Sequence, residues 1–255
     1  MHWRVAGSDL YLLGSVHFSD RDLIFSDEIS SAIARAEVLA FEADTRLQPD
    51  RSAMRYSKNG RLSANIPPDL FADTARLWGE LELPADDLER ARPASAMLQL
   101  MRFVLERSGF DKPGVDRLVL ALGEAQGKKL MFLEPILAGF EAFRGAPLEE
   151  QVAGLAFTVR HQDEGVSDVR ATLDAWAAAQ PQDLLPVGEK GMQRTPRAYT
   201  AAIKGRNKIW LPKILKLIRA GRPTVVTVGG LHLVGIDSVP ELLRRHGYEC
   251  VLGAA

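Results

Sequence analysis

Two stretches near opposite ends of the chain share one pattern. Leu12-Leu13-Gly14-Ser15-Val16-His17 and Thr227-Val228-Gly229-Gly230-Leu231-His232 each lead from an apolar, strand-like run through a glycine to a histidine three residues on. A loop, a helix-patterned segment and another apolar run then follow in both. Short runs of Val, Leu and Phe spaced by helical patterns are the mark of an α/β protein. Two copies are too few for a repeat array, so the pattern reads as two similar strand-end loops within one fold. For 255 residues one large domain over 1–255 is the default. The expected architecture is a central mixed β-sheet flanked by helices. Its core comes from about residues 1–45, 111–135 and 222–255, with largely helical insertions at about 50–110 and 136–221.

The elements follow from local chemistry. Trp3-Arg4-Val5 turns through Gly7-Ser8-Asp9 into Leu10–Leu13 as a hairpin. Ile29, Ala32, Ile33 and Ala36 share one face of a helix over about Ser26–Ala36, and Val38–Phe41 is a buried strand that ends at Glu42. Pro67-Pro68 and Pro84 divide the helical stretch from about Asp50 to Phe110, where Met97 and Met101 belong to an apolar face. Asp116–Gln126 reads as a helix closed by Gly127, and Leu130–Leu133 as a strand ended by Glu134-Pro135. Helical pattern returns over about Ile136–Ala179. The polar segment Pro181–Pro196 reads as a loop able to fold over a site. A helix over Arg197–Ala220 is expected to kink at Pro212. Thr224–Val228, Val239–His246 and Tyr248–Leu252 close the chain as strand, helix and strand.

Composition narrows the class. A hydrophobic fraction of 46% with 25% charged residues excludes a disordered or coiled-coil chain. No apolar run approaches the ~20 residues that span a bilayer, and the first residues lack a signal-peptide pattern, so a cytoplasmic protein without membrane contact is expected. A lone cysteine, Cys250, limits any metal site to His, carboxylate and amide ligands. Net charge is −1, yet residues 191–223 hold nine basic groups and no acid, leaving 23 basic and 33 acidic elsewhere. Without interleaved aromatics this stripe reads as the solvated face of a helix, and nucleic acid is not an expected partner.

In open α/β sheets ligands bind beyond the carboxyl ends of the strands. His17 and His232 lie a few residues past such ends, and Glu42 and Glu134 lie at them. On neighbouring parallel strands these four converge. Two imidazoles and a carboxylate suit Zn²⁺, Mn²⁺ or Fe²⁺, with an open position for water. Gly14 and Gly229 are expected to let the backbone turn and to keep the cofactor site clear. Arg206 and Asn207 offer oxyanion stabilisation, although a solvated Arg-Asn pair on a basic helix is the simpler reading. His2, His161 and His246 read as a terminal residue, an exposed residue and a helix C-terminal cation. No Gly-x-Ser-x-Gly elbow is present.

These residues resemble the TraB/GumN family, related to the Tiki metalloproteases and more distantly to the erythromycin-esterase and ChaN-like group. The resemblance rests on Leu13–His17, Glu42-Ala43-Asp44, Gly114-Val115-Asp116, Leu133-Glu134, Arg206-Asn207 with Trp210, and above all Val228–Gly235. It implies an α/β fold with helical insertions and a metal-dependent peptidase-like or hydrolase-like site. The expected assignment is His17, His232, Glu42 and Glu134 as metal ligands, with Glu42 as ligand or general base. Arg206 and Asn207 orient a peptide or small-molecule substrate, anionic groups being favoured by the basic helix. The cofactor is a divalent metal, Zn, Mn or Co. Two other readings stay open: a binding protein for haem or another metal chelate, and a metal-independent esterase-like hydrolase.

Overall fold

A computed structural model describes residues 1–48, 50–56 and 60–254. Part of the expected 50–110 insertion, residues 57–59, lies outside the described residues. The strands are β1 (His2–Val5), β2 (Leu10–Ser15), β3 (Phe18–Ser19), β4 (Val38–Phe41), β5 (Lys112–Pro113), β6 (Lys129–Phe132), β7 (Thr224–Gly229) and β8 (Cys250–Leu252). The helices are α1 (Asp27–Arg35), α2 (Pro68–Glu80), α3 (Ala85–Arg90), α4 (Pro93–Arg107), α5 (Val115–Ala125), α6 (Ala138–Arg144), α7 (Leu148–Arg160), α8 (Gln162–Ala177), α9 (Leu185–Arg194), α10 (Pro196–Tyr199), α11 (Arg206–Ala220) and α12 (Val239–Arg245). No helix among the described residues is long and apolar enough to cross a membrane.

The sheet is mixed, in the order β6-β4-β7-β2-β1-β8, with β3 and β5 forming a separate two-stranded ribbon. β6, β4, β7 and β2 run parallel, while β1 is antiparallel to both β2 and β8. Parallel strands are covered on both faces and therefore need continuous apolar runs. β4 is buried at all four positions, and β7 at all but its last. The hairpin is as expected, Gly7 supplying the turn at φ +73°. Gly127 likewise follows α5 in the left-handed region, at φ +61°.

Two hydrophobic cores result. One joins the sheet to α1, α5, α11 and α12 through Leu12, Leu39, Val119, Ile214 and Val226. The other is helical, built by Leu70, Trp78, Leu100 and Leu155 from α2, α4 and α7. The two helical insertions thus share an apolar centre of their own, with α7 packed against α2 and α4.

Three expectations change. Pro181–Pro196 is not a loop but a 3₁₀ turn, Pro181–Leu184, followed by α9. Pro186 sits in the first turn of that helix, where its missing N–H costs nothing, and Gly188 and Gly191 lie one turn apart against Tyr199. The Arg197–Ala220 helix is interrupted earlier than expected, by a widened π turn over Thr200–Gly205. α11 then runs through Pro212, whose exposed face leaves the freed carbonyl to water. His2, read from the sequence only as a terminal residue, is buried beside Glu28, its Nε2 3.1 Å from Oε2.

Candidate functional site

The sheet order explains the site. β6, β4, β7 and β2 are consecutive parallel neighbours, and they are the strands that deliver Glu134, Glu42, His232 and His17. Ser15 pairs in register with Gly229, so the two GxxH stretches leave adjacent strands side by side, one residue out of step. All four expected residues open at the same sheet edge.

Glu42 is the centre of the arrangement. The Gly229 N–H donates to its Oε1 at 2.6 Å, and Arg206 Nη2 donates to Oε2. Burial alone favours the neutral carboxyl, but the facing His232 ring, the positive charges of Arg206 and His17 and the Gly229 N–H reverse this and hold Glu42 well below the usual carboxylate range. Gly229 has φ −51° and ψ 140°, so it is not there to make a sharp turn. Its need is for space. A Cβ at this position would stand 3.3 Å from Glu42 Oε1, 3.4 Å from His232 Cδ2 and 4.0 Å from His17 Nε2. Gly14 also lacks a positive φ and packs beneath Met1 and Gly230, away from the charged groups. The sharp-turn expectation for both glycines is therefore corrected, and close approach replaces it.

His232 is buried, its ring 4.4 Å from that of Trp210. Asn207 fixes its tautomer. The Asn207 amide nitrogen donates to the carbonyls of His232, at 3.2 Å, and Asp237, at 2.9 Å, so its Oδ1 is an acceptor and the 2.7 Å contact with His232 Nδ1 requires Nδ1–H to donate. Nε2 then carries the lone pair, facing Arg206 Nη1 at 3.3 Å and Glu42 Oε1 at 3.9 Å. Burial, aided by Arg206 and His17, lowers its pKa and outweighs the attraction of Glu42, keeping the ring neutral. Asn207 is itself 0% exposed. It cannot touch a substrate, so its expected part in orienting substrate becomes one of orienting His232.

His17 differs in every respect. Its side chain is 56% exposed, with Nδ1 3.4 Å from Asp116 Oδ1. Partial desolvation opposes its charge, but hydrogen bonding and attraction to Asp116, with Glu42 beyond, lift its pKa above the ordinary imidazole value. Asp116, placed by the sequence in a motif without a role, is held by Ser15: Ser15 Oγ donates to Oδ1 at 2.9 Å, and the Asp116 N–H donates back to Oγ at 3.3 Å. Gly114 makes this junction possible. A Cβ there would lie 2.0 Å from the Val16 carbonyl oxygen, so only glycine lets α5 start against the His17 loop.

Glu134 and Arg206 complete the cluster. Arg206 Nε donates to Glu134 Oε1 at 2.9 Å, and Trp210 Nε1 donates to Oε2 at 2.8 Å. Both oxygens of Glu134 are thus engaged by the chain, and the guanidinium lies between the two carboxylates. β6 ends at Phe132, and Glu134 just beyond it stays buried ahead of Pro135.

The donor set suits a divalent cation in kind. Two imidazoles have Nδ1 turned to an oxygen acceptor and Nε2 towards one carboxylate, the way ligating histidines are oriented, and the three meet where a Gly229 side chain would stand. As placed, no three His, Cys, Asp or Glu side chains among the described residues are grouped to hold one ion. Arg206 fills the interior of the cluster, so the guanidinium has to draw back from Glu42 for a cation to enter.

Comparison with known proteins gives one match. The TraB/PrgY/gumN family model matches residues 1–251, nearly the full chain, and the chain belongs to that family. No curated protein and no solved structure matches it.

Proposed function

We propose that this member of the TraB/PrgY/gumN family is a hydrolase that activates water between His17, Glu42 and His232, with a divalent metal held by these three side chains. The observation that supports it is the convergence itself. Histidines 215 positions apart in sequence (232 − 17) reach one carboxylate, each with its Nδ1 turned to a separate acceptor. When bound, such a cation lowers the pKa of its water towards neutrality and polarises a carbonyl. The chain's own residues supply the rest. Asp116 and Asn207 hold the two rings, the Gly229 N–H holds one Glu42 oxygen, and Glu42, with its other oxygen released by Arg206, serves as ligand or as the base that takes the water's proton. Arg206, fixed by Glu134, presents positive charge where an oxyanion develops. The substrate class is a peptide or a small molecule with an anionic or carbonyl group.

The test compares metal content and hydrolysis of peptide and ester libraries in wild type and Glu42→Gln, with Zn²⁺, Mn²⁺ and Co²⁺ supplied in turn. If Glu42 is the base, turnover falls on the order of 10²–10⁴-fold while metal is retained. If it is a ligand, metal and turnover fall together. Fully metallated protein that is inert on every library points instead to a binding protein.

A second reading is favoured by Arg206. Its guanidinium already supplies a cation against His232 Nε2 and Glu42, which supports a metal-independent hydrolase with His17 as proton carrier. Activity that survives chelation in protein free of bound metal selects this reading.

A further inference from the structure

Arg206 is bound unequally to its two carboxylates. On the Glu134 side everything is fixed. Arg206 Nε donates to Glu134 Oε1 at 2.9 Å, the guanidinium carbon lies 4.7 Å from the Trp210 ring centre, and Trp210 Nε1 donates to Glu134 Oε2 at 2.8 Å. Arg, Trp and Glu thus form a triangle closed on itself. On the other side only Nη2 reaches Glu42. Glu42 keeps a separate hold on the Gly229 N–H through Oε1, at 2.6 Å, and its side chain is 16% exposed against 4% for Glu134. Glu42 is therefore the partner that Arg206 can give up while staying anchored.

Charge decides when it does so. Glu42, Glu134 and Arg206 together carry one net negative charge. A guanidinium and a divalent cation cannot both lie against Glu42, because like charges in contact repel strongly where the surroundings screen them poorly. If Glu42 and the two histidines take up a cation, Arg206 stays on Glu134 with Nη2 released from Glu42 and Nη1 from His232 Nε2, which it now faces at 3.3 Å. Nη1 keeps only a long contact, 3.4 Å, with the Ala202 carbonyl. The same three side chains and the cation then sum to one net positive charge. Two freed N–H groups on a guanidinium form the fork that receives an oxyanion. Space for one is present: a Cβ on Gly139 of α6 would lie 3.8 Å from Cζ, Nη1 and Nη2 alike, so glycine leaves room over that end of Arg206.

We propose that Arg206 is a built-in competitor for the metal that becomes an anion receptor once displaced: it holds Glu42 in the metal-free protein and yields it to a divalent cation in exchange for an oxyanion. Metal and anion then bind cooperatively, each tightening the other by the same factor. Without metal the site is closed to anions, because Arg206 is committed to two carboxylates. Without an anion, metal uptake carries the full cost of releasing a paired guanidinium. This rests on the metal-dependent reading of the His17–Glu42–His232 site, to which it adds a control: the site fills at full strength only when both ligands are present.

The experiment is Mn²⁺ binding to the metal-stripped full chain, followed through the electron paramagnetic resonance signal of the free ion, at constant ionic strength in chloride, sulfate or acetate. Wild type is expected to bind Mn²⁺ about fivefold or more tightly in sulfate or acetate than in chloride, the lower end of ordinary coupling between sites. The larger of the two factors tells a tetrahedral from a planar oxyanion. Pairing of these anions with free Mn²⁺ acts in the opposite direction and cannot imitate the effect. Arg206→Gln is expected to bind Mn²⁺ about tenfold or more tightly than wild type in chloride, within the same range, and to lose the anion effect. A double variant, Arg206→Gln with Glu134→Gln, removes the buried cation together with its anchor and keeps the comparison available if the single variant does not fold, thermal melting being the check on both. Mn²⁺ uptake by wild type only when an anion is present, with uptake by the variants in chloride, is the limiting case of the competition and supports it. An anion effect that is absent from wild type, or that persists in the variants, overturns the proposal. So does Mn²⁺ binding that is unchanged or weaker in the folded variants, and these results leave the metal site standing. No Mn²⁺ binding by any of the proteins in any salt removes the metal-dependent reading itself, and the proposal with it.

Discussion

The His17 and His232 loops share a sequence pattern and a strand end, yet their surroundings are opposite. His232 is packed against Trp210 and fixed by a buried amide; His17 stands largely in solvent beside an aspartate. The pattern specifies where a histidine emerges, but the partner decides what state it is in. Asn207 can only accept from Nδ1–H and leaves the ring neutral, whereas Asp116 rewards a positive charge. Pairing one of each gives the site a rigid wall and an open one.

Variants can break this contrast, beginning with its largest expected effect. Arg206→Met leaves Glu42 and Glu134 without their shared cation, and breaking a buried ion pair in this way costs about 3–5 kcal/mol. Asp116→Asn on the open side should cost less, because the pair with His17 is half in solvent and an amide oxygen can still accept from Ser15. Urea midpoints for the two proteins give the comparison directly, and similar losses would mean that the His17 side is as tightly built as the other. Asn207→Ala comes next. It strands two carbonyls and the His232 Nδ1–H, an expected loss of about 2–4 kcal/mol by the cost of unsatisfied buried groups, again read from the urea midpoint. His17→Ala should cost less stability than Asn207→Ala, because half of the His17 side chain faces solvent, and its effect should shrink as pH rises through the folded pKa of His17. Its turnover should nevertheless fall to background, so a stable protein without hydrolysis is the outcome that sharpens the contrast.

The smallest effect lies in the pH dependence of metal-stripped protein. His17 has a raised folded pKa, near 9, so its contribution is fully present below the unfolded value of about 6.5 and is lost as pH rises through the folded one. His232 has a lowered pKa, near 3, so its neutral form favours folding above about 6.5 and that contribution is lost as pH falls below it. His17→Gln should flatten the alkaline limb of the stability profile and His232→Gln the acid limb. A single variant that flattens both limbs would contradict the assignment of opposite states.

Much of this was legible in the sequence because strand ends are. Four apolar runs followed by His or Glu, in a chain with α/β spacing, place those groups at one sheet edge once the strands are parallel neighbours. The partners were harder to read. Asp116 reaches His17 only because Gly114 lets a helix start within backbone contact of the loop, a tertiary approach with no local signal. Glu134 reads from the sequence as a strand-end metal ligand, yet Trp210 and Arg206 from a distant helix claim both its oxygens. Arg206 and Asn207 are adjacent in sequence but divide their labour, one facing the carboxylates and the other buried behind His232. The polar composition of 181–196 concealed α9, since its glycines serve contact with Tyr199 rather than chain reversal.

The position of β7 has a consequence for how the molecule comes into being. This central strand is contributed by residues 224–229 and stands between β4 and β2, which were synthesised about two hundred residues earlier. Until it inserts, β2 and β4 each present an unpaired edge, and Glu42 lacks both the Gly229 N–H and the His232 ring. Long-range parallel pairing of this kind is slow to form, and open edges are sites of self-association. A ribosome-bound chain that has emerged only through α11 therefore holds every other strand of the parallel set without the assembled His17–Glu42–His232 cluster, and its folding is expected to be the stage most dependent on chaperones and most sensitive to premature termination.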